Sequence, residues 1–128
     1  MSETRLILKE KGQELPVPKI WRQTLCNIVD AFVGGDFKLE SRIDFVHSIA
    51  PIDAKRIAGN IGDYGDELVA LSEETWESSI CCWTSQSYWE VLIDLMTIDE
   101  GVSDLVLFVK VREDAGSYCF TIEDVHVP

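Results

Sequence analysis

Two alternating apolar runs, separated by a short turn, constrain this chain more than any other feature. From Tyr88 to Thr97 the alternation sets Trp89, Val91, Ile93 and Leu95 on one side and Glu90, Leu92, Asp94 and Met96 on the other. After Asp99-Glu100-Gly101 it resumes with Leu105, Leu107, Val109 and Val111. A period of two is the mark of a strand with one buried face. Asp114-Ala115-Gly116 supplies a hairpin turn, with glycine where a positive φ is needed, and Tyr118 to Val127 reads as the last strand. Leu68-Val69-Ala70-Leu71 is a short strand ahead of these, and Thr75 to Thr84 is β-compatible though polar in places.

The first half has a different period. Leu6-Ile7-Leu8 fits a short strand or an extended arm. Pro16-Val17-Pro18 places a proline near a helix start, after which Trp21, Leu25, Ile28, Val29 and Phe32 recur at helical spacing until Gly34-Gly35. A second helix is expected from Pro51-Ile52-Asp53, with Ala54, Ile57, Ala58 and Ile61 inward and the Gly62/Gly65 pair closing it. Phe37 to Ile49 fits either a short helix or a turn. Helices followed by consecutive hairpins predict an α+β fold, with N-terminal helices packed on one face of a C-terminal antiparallel β-meander. The 128 residues show no repeat, low-complexity tract or linker, so one α+β domain is expected over 1–128.

Turn lengths suggest pairing Val91 with Val111 and Leu95 with Leu107, which sets Glu90 opposite Arg112. This register makes one face uniformly apolar, with Phe120 and Ile122 joining from the last strand. It leaves Leu92, Met96, Val106 and Phe108 on the opposite face, among Asp94, Lys110, Thr121 and Glu123. Four large apolar side chains on an outer face suggest a dimer interface; a covering loop or the N-terminal arm is the alternative.

The formal net charge is −12 and is unevenly spread. Residues 1–64 carry nine basic and nine acidic side chains, whereas residues 65–128 carry Lys110 and Arg112 against 14 acids. Such a field repels phosphate, which argues against general nucleic-acid binding, and it steers cationic partners. Solubility alone is the plainer explanation. Leu105-Val106-Leu107-Phe108-Val109 is far too short for a membrane span, and Leu6-Ile7-Leu8 is too short for a signal-peptide core. A cytoplasmic location is the expectation, with no membrane partner.

The candidates for chemistry are few. Cys26, Cys81, Cys82 and Cys119 form no CxxC pair and read as buried thiols, with vicinal Cys81 and Cys82 on opposite strand faces. His47 and His126 lack metal-ligand spacing, so no metal or cofactor is assigned; His126, beside the last residues, is expected in solvent. A Cys-His nucleophilic pair, which forms in space and not in sequence, stays open. Asp94 lies mid-strand between Ile93 and Leu95, where apolar surroundings suit a general acid or base; an ordinary surface charge near Lys110 is the simpler reading. Gly59, Gly62 and Gly65 end a helix and are not a dinucleotide fingerprint. Trp21 and Trp89 fit core positions. Trp76 and Trp83 fall on opposite faces of the polar strand, so at least one is expected to be partly exposed. Glu73, Glu74 and Glu77 beside Trp76 make an acidic-aromatic surface able to grip a basic protein; a pocket lid is the competing idea.

Two resemblances bear on this. Ala31-Phe32-Val33-Gly34-Gly35-Asp36-Phe37 after the first helix, with Ile122-Glu123-Asp124-Val125-His126-Val127 at the end, resembles the layout of the ketosteroid-isomerase-like cone fold. That resemblance implies a curved sheet enclosing a pocket and dimerisation through the outer face. It transfers no catalytic residue, because no position matches the general-base motif. Leu71-Ser72-Glu73-Glu74-Thr75-Trp76-Glu77, Ser103-Asp104-Leu105-Val106-Leu107 and Val125-His126-Val127-Pro128 are similar to a family of small acidic bacterial proteins of unassigned function. Such domains include many immunity proteins, which block a cognate toxin. The sequence therefore favours a non-enzymatic, cytoplasmic protein-binding domain of immunity-inhibitor type, with Glu73, Glu74, Trp76, Glu77 and Trp83 facing a basic partner. The alternative is a small-molecule or enzymatic cone whose pocket is lined by Tyr88, Trp89 and Asp94.

Overall fold

The computed structural model describes residues 9–128, so the Leu6-Ile7-Leu8 segment lies outside the described residues. Helix α1 spans Lys19–Val33 and buries Trp21, Leu25, Ile28, Val29 and Phe32, the stripe its spacing predicts. Helix α2 spans Pro51–Tyr64, opens on proline and buries Ala54, Ile57 and Ile61, while Ala58 is only half-buried. It stops at Gly65, whose φ of 86° lets its N–H reach the Gly62 carbonyl. A side chain at that left-handed position is strained, which is why the helix ends on glycine.

Among the described residues, six strands follow or flank the helices: β1 (Leu15–Pro16), β2 (Leu68–Val69), β3 (Ile80–Trp83), β4 (Trp89–Thr97), β5 (Gly101–Asp114) and β6 (Ser117–His126). They form one open antiparallel sheet in the order β1-β3-β4-β5-β6, with β2 also paired to β4. The architecture is α+β, with the helices at one face. Trp21 of α1 is the hub of their contact, its ring centroid 5.3 Å from Trp89, 5.4 Å from Tyr118 and 6.3 Å from Phe120. Val91, Ile93, Leu95, Leu107, Val109 and Val111 are buried on the face it meets.

The β4–β5 register lies two residues from the expectation. Trp89 pairs with Val111, Val91 with Val109 and Ile93 with Leu107, so Glu90 faces Lys110 and not Arg112. The connection is tighter than supposed, since Thr97 already pairs with Gly101. A bulge then sets Ser103, Asp104 and Leu105 opposite Leu95 alone. An even displacement leaves every side chain on its expected face.

Two segments depart from the sequence reading. Glu73–Glu77 is a 3-10 turn, and strand structure begins only at Ile80. Phe37 to Ile49 belongs to a closed loop, tied by the Ile49 N–H to the Lys38 carbonyl at 3.0 Å and anchored by buried Leu39 and Ile49. Its Phe45 carbonyl accepts the Phe120 N–H at 2.8 Å, and its His47 N–H donates to the Phe120 carbonyl at 3.0 Å. The loop thereby covers part of the β6 edge, a position open to unwanted pairing in a bare sheet.

Candidate protein-binding surface

The edge of β4 organises the acidic side chains. β2 pairs with its Met96–Thr97 end and β3 with its Trp89–Leu92 end. Between them the 3-10 turn interrupts the ladder, and side chains replace it. The Thr75 hydroxyl donates to the Asp94 carbonyl, the Ser78 hydroxyl donates to the Asp94 carboxylate, and Ser79 Oγ accepts the Asp94 N–H at 3.0 Å. Thr75 and Ser79 are buried. Trp76 is buried under the turn, with the Arg22 guanidinium 5.1 Å from its ring centroid. These inward groups leave Glu73, Glu74 and Glu77 exposed in the same short turn.

A second acidic group sits where β4 turns into β5. The Ile98 N–H donates to the Glu67 carbonyl at 2.9 Å, and the Asp99 N–H reaches the Asp66 carboxylate at 3.3 Å. The Tyr64 hydroxyl bonds the Glu100 carboxylate and accepts the Asp104 N–H at 3.1 Å. That bond to Glu100 pushes the Tyr64 phenol up from its ordinary pKa. The stretch of β4 from Asp94 to its end is roughly 10 Å long, so the two groups share one flank.

Among the described residues, few cations pair with the acids of the second half of the chain. Of the 14 acids in residues 65–128, Glu113 pairs with Lys9, Glu123 with Lys110 and Asp124 with Arg56. Among the described residues, no ion pair engages Asp66, Glu67, Glu73, Glu74, Glu77, Asp94, Asp99, Glu100 or Asp104.

The structure does not assemble all the side chains singled out in the sequence. Trp76 supports the turn from beneath and is no surface contact, because Arg22 and the core cover it. Trp83 lies at the far end of β3, half-buried against Trp89 at 4.7 Å, with Lys9 over its ring at 5.2 Å. It is not beside Glu73, Glu74 and Glu77. The apolar outer patch is also smaller than expected. Met96 and Val106 are buried, Met96 accepting the Ser72 hydroxyl on its sulfur. Leu92 and Phe108 are half-buried, and the His126 ring stacks on Phe108 at 4.4 Å.

Tyr88, Trp89 and Asp94 do not converge on a pocket. Trp89 is 1% exposed on the inner face, while Asp94 is on the outer face. Tyr88 and Asp94 are separated by six residues of extended chain, roughly 20 Å. Tyr88 instead lies beneath two cations, with Lys110 at 4.7 Å and Arg112 at 5.3 Å from its ring. Cavities of about 590, 420 and 320 Å³ lie elsewhere: between the end of α1 and the start of α2, within the Leu39–Ser48 loop, and beside Tyr64 and His126.

All four thiols are free, and burial pushes Cys81 up to about 11, so its thiolate is scarce near neutrality. His126, expected in solvent, is partly buried; its Nδ1 meets the Asp124 carboxylate at 2.7 Å, and Arg56 Nε donates to the other carboxylate oxygen at 3.1 Å. The signal for this was present, since Asp124 and His126 are two apart on one strand. No helix among the described residues is long and apolar enough to cross a membrane.

Two helices on one face of an open antiparallel sheet define an α+β fold, and among the described residues acids without an ion pair gather along one flank of it. The chain belongs to the family described as Domain of unknown function (DUF7668), whose model matches residues 29–128. No curated protein and no solved structure matches it.

Proposed function

We propose that this chain is a cytoplasmic, non-enzymatic protein-binding domain of immunity-inhibitor type, which engages a basic partner through the acidic flank of its sheet. One observation carries the reading: Glu73, Glu74 and Glu77 project together from a turn that Thr75, within it, and Ser78 and Ser79, just after it, fasten to Asp94, and no cation pairs with them among the described residues. A rigid, one-signed surface accelerates encounter with a cationic protein and does not need to reorganise when it docks.

The partner to test is a strongly basic protein encoded beside this one. Stopped-flow association at several salt concentrations is compared with that of a variant carrying Glu73→Lys, Glu74→Lys and Glu77→Lys. The on-rate is expected to fall roughly tenfold or more at low salt, with a flatter salt dependence. Equal on-rates for the two proteins, or an adjacent product that is acidic and does not bind, would count decisively against the reading.

A further inference from the structure

The loop between α1 and α2 encloses a cavity of its own, apart from the acidic flank. Three non-glycine residues within it hold positive φ: Leu39 at 58°, Arg42 at 58° and Phe45 at 65°. Such conformations persist only where the surroundings impose them, and they concentrate at binding sites. Here the imposing contacts are visible. The Asp36 carboxylate accepts the N–H groups of Glu40 and Ser41, each at 2.9 Å, and the Ile49–Lys38 hydrogen bond closes the loop. The hydrogen bonds to Phe120 fix the Phe45–His47 stretch against β6. Closed loops of this length, packed by their own side chains, are often recognition elements.

The strained residues surround a cavity of about 420 Å³, within the range that small ligands occupy. Its lining is mostly polar, from the exposed Arg42, Asp44, His47 and Ser48, with a smaller apolar part from Leu39, Ile43, Phe45 and Val46. Among the described residues, none of these four polar side chains makes a hydrogen bond or an ion pair. An exposed guanidinium and an exposed carboxylate thus border one cavity without forming an ion pair with each other. The guanidinium fork matches a carboxylate, and the carboxylate matches an ammonium group.

We propose that this loop binds a small zwitterion, an amino acid or short peptide, with Arg42 taking the ligand's carboxylate and Asp44 its ammonium. The apolar residues receive the ligand's side chain, and Arg42 and Asp44, which form no ion pair with each other, remain available to its two charges.

The test is a titration of the full chain, followed by amide NMR, with L-leucine and leucyl-glycine. N-acetyl-leucine and leucinamide, each lacking one charge, serve as comparisons. The two zwitterions are expected to shift amide signals in residues 39–48, with dissociation constants in the millimolar range or tighter. Each singly charged analogue should bind at least about tenfold more weakly. Arg42→Gln and Asp44→Asn should reproduce those losses while the remaining signals stay in place. An absence of shifts at ligand concentrations on the order of tens of millimolar would overturn the proposal. So would N-acetyl-leucine binding as well as leucine, since Asp44 would then have nothing to hold.

Discussion

The Ser103 hydroxyl donates to the Leu95 carbonyl at 2.8 Å and accepts the Leu105 N–H at 3.1 Å. It stands at the bulge where β5 sets three residues opposite one, and there it replaces the ladder bonds that the bulge removes. Leu95, Ser103 and Leu105 are all buried. Ser103→Ala therefore strands a buried acceptor and a buried donor, for a cost of about 1–3 kcal/mol. Chemical denaturation is expected to show a lower midpoint at an unchanged slope. An unaltered midpoint would mean that this hydroxyl does not hold the bulge.

Acid should weaken the fold partly through Asp124. Burial pushes this carboxyl up, but hydrogen bonds from Arg56 and His126 outweigh it and hold it below the usual carboxylate range. A carboxyl depressed in the folded state adds stability that is fully present above its unfolded value of about 3.9 and is lost as pH falls through the folded value. Asp124→Asn should lower stability near neutrality by about 1 kcal/mol or less, because its Arg56 partner is partly exposed and solvent screens the pair. Thermal melts from neutral pH down to about pH 3 should then show a shallower loss for the variant than for the parent chain. Parallel curves would remove Asp124 from the acid transition.

Much of the fold is legible because it rests on local periods. The α1 stripe from Trp21 to Phe32 repeats at helical spacing, and the faces of β4 and β5 survive a register error because the error is even. The turn at Glu73–Glu77 was not legible, since no period marks it and its conformation is set by hydrogen bonds to Asp94 on another strand. The burial of Trp76 depends likewise on Arg22, brought up by α1. The loop containing Leu39, Arg42 and Phe45 contradicts residue preference outright, because none of the three favours positive φ. Charge asymmetry was plain in composition. Its gathering on one flank required knowing that β2, the turn and β3 all line the same edge of β4.

Glu90 is a carboxylate that the fold tolerates at a cost. It stands opposite Lys110 on the outer face, yet the Lys110 ammonium goes to Glu123 at 3.2 Å. Burial pushes the Glu90 carboxyl up and the adjacent Glu123 adds to this, while Lys110 opposes the rise without cancelling it. A carboxyl raised in the folded state destabilises the fold once it ionises; the penalty is complete above the folded pKa and disappears below the unfolded value of about 4.3. Glu90→Gln should therefore stabilise the domain at neutral pH, by less than about 1 kcal/mol at this half-buried position. The advantage should close as the pH is brought to about 4. Lys110→Met should act in the opposite sense, leaving Glu90 and Glu123 to repel each other. Paired thermal melts at the two pH values decide the matter. A Glu90→Gln variant less stable than the parent at neutral pH would show that attraction to Lys110 outweighs burial and Glu123 together.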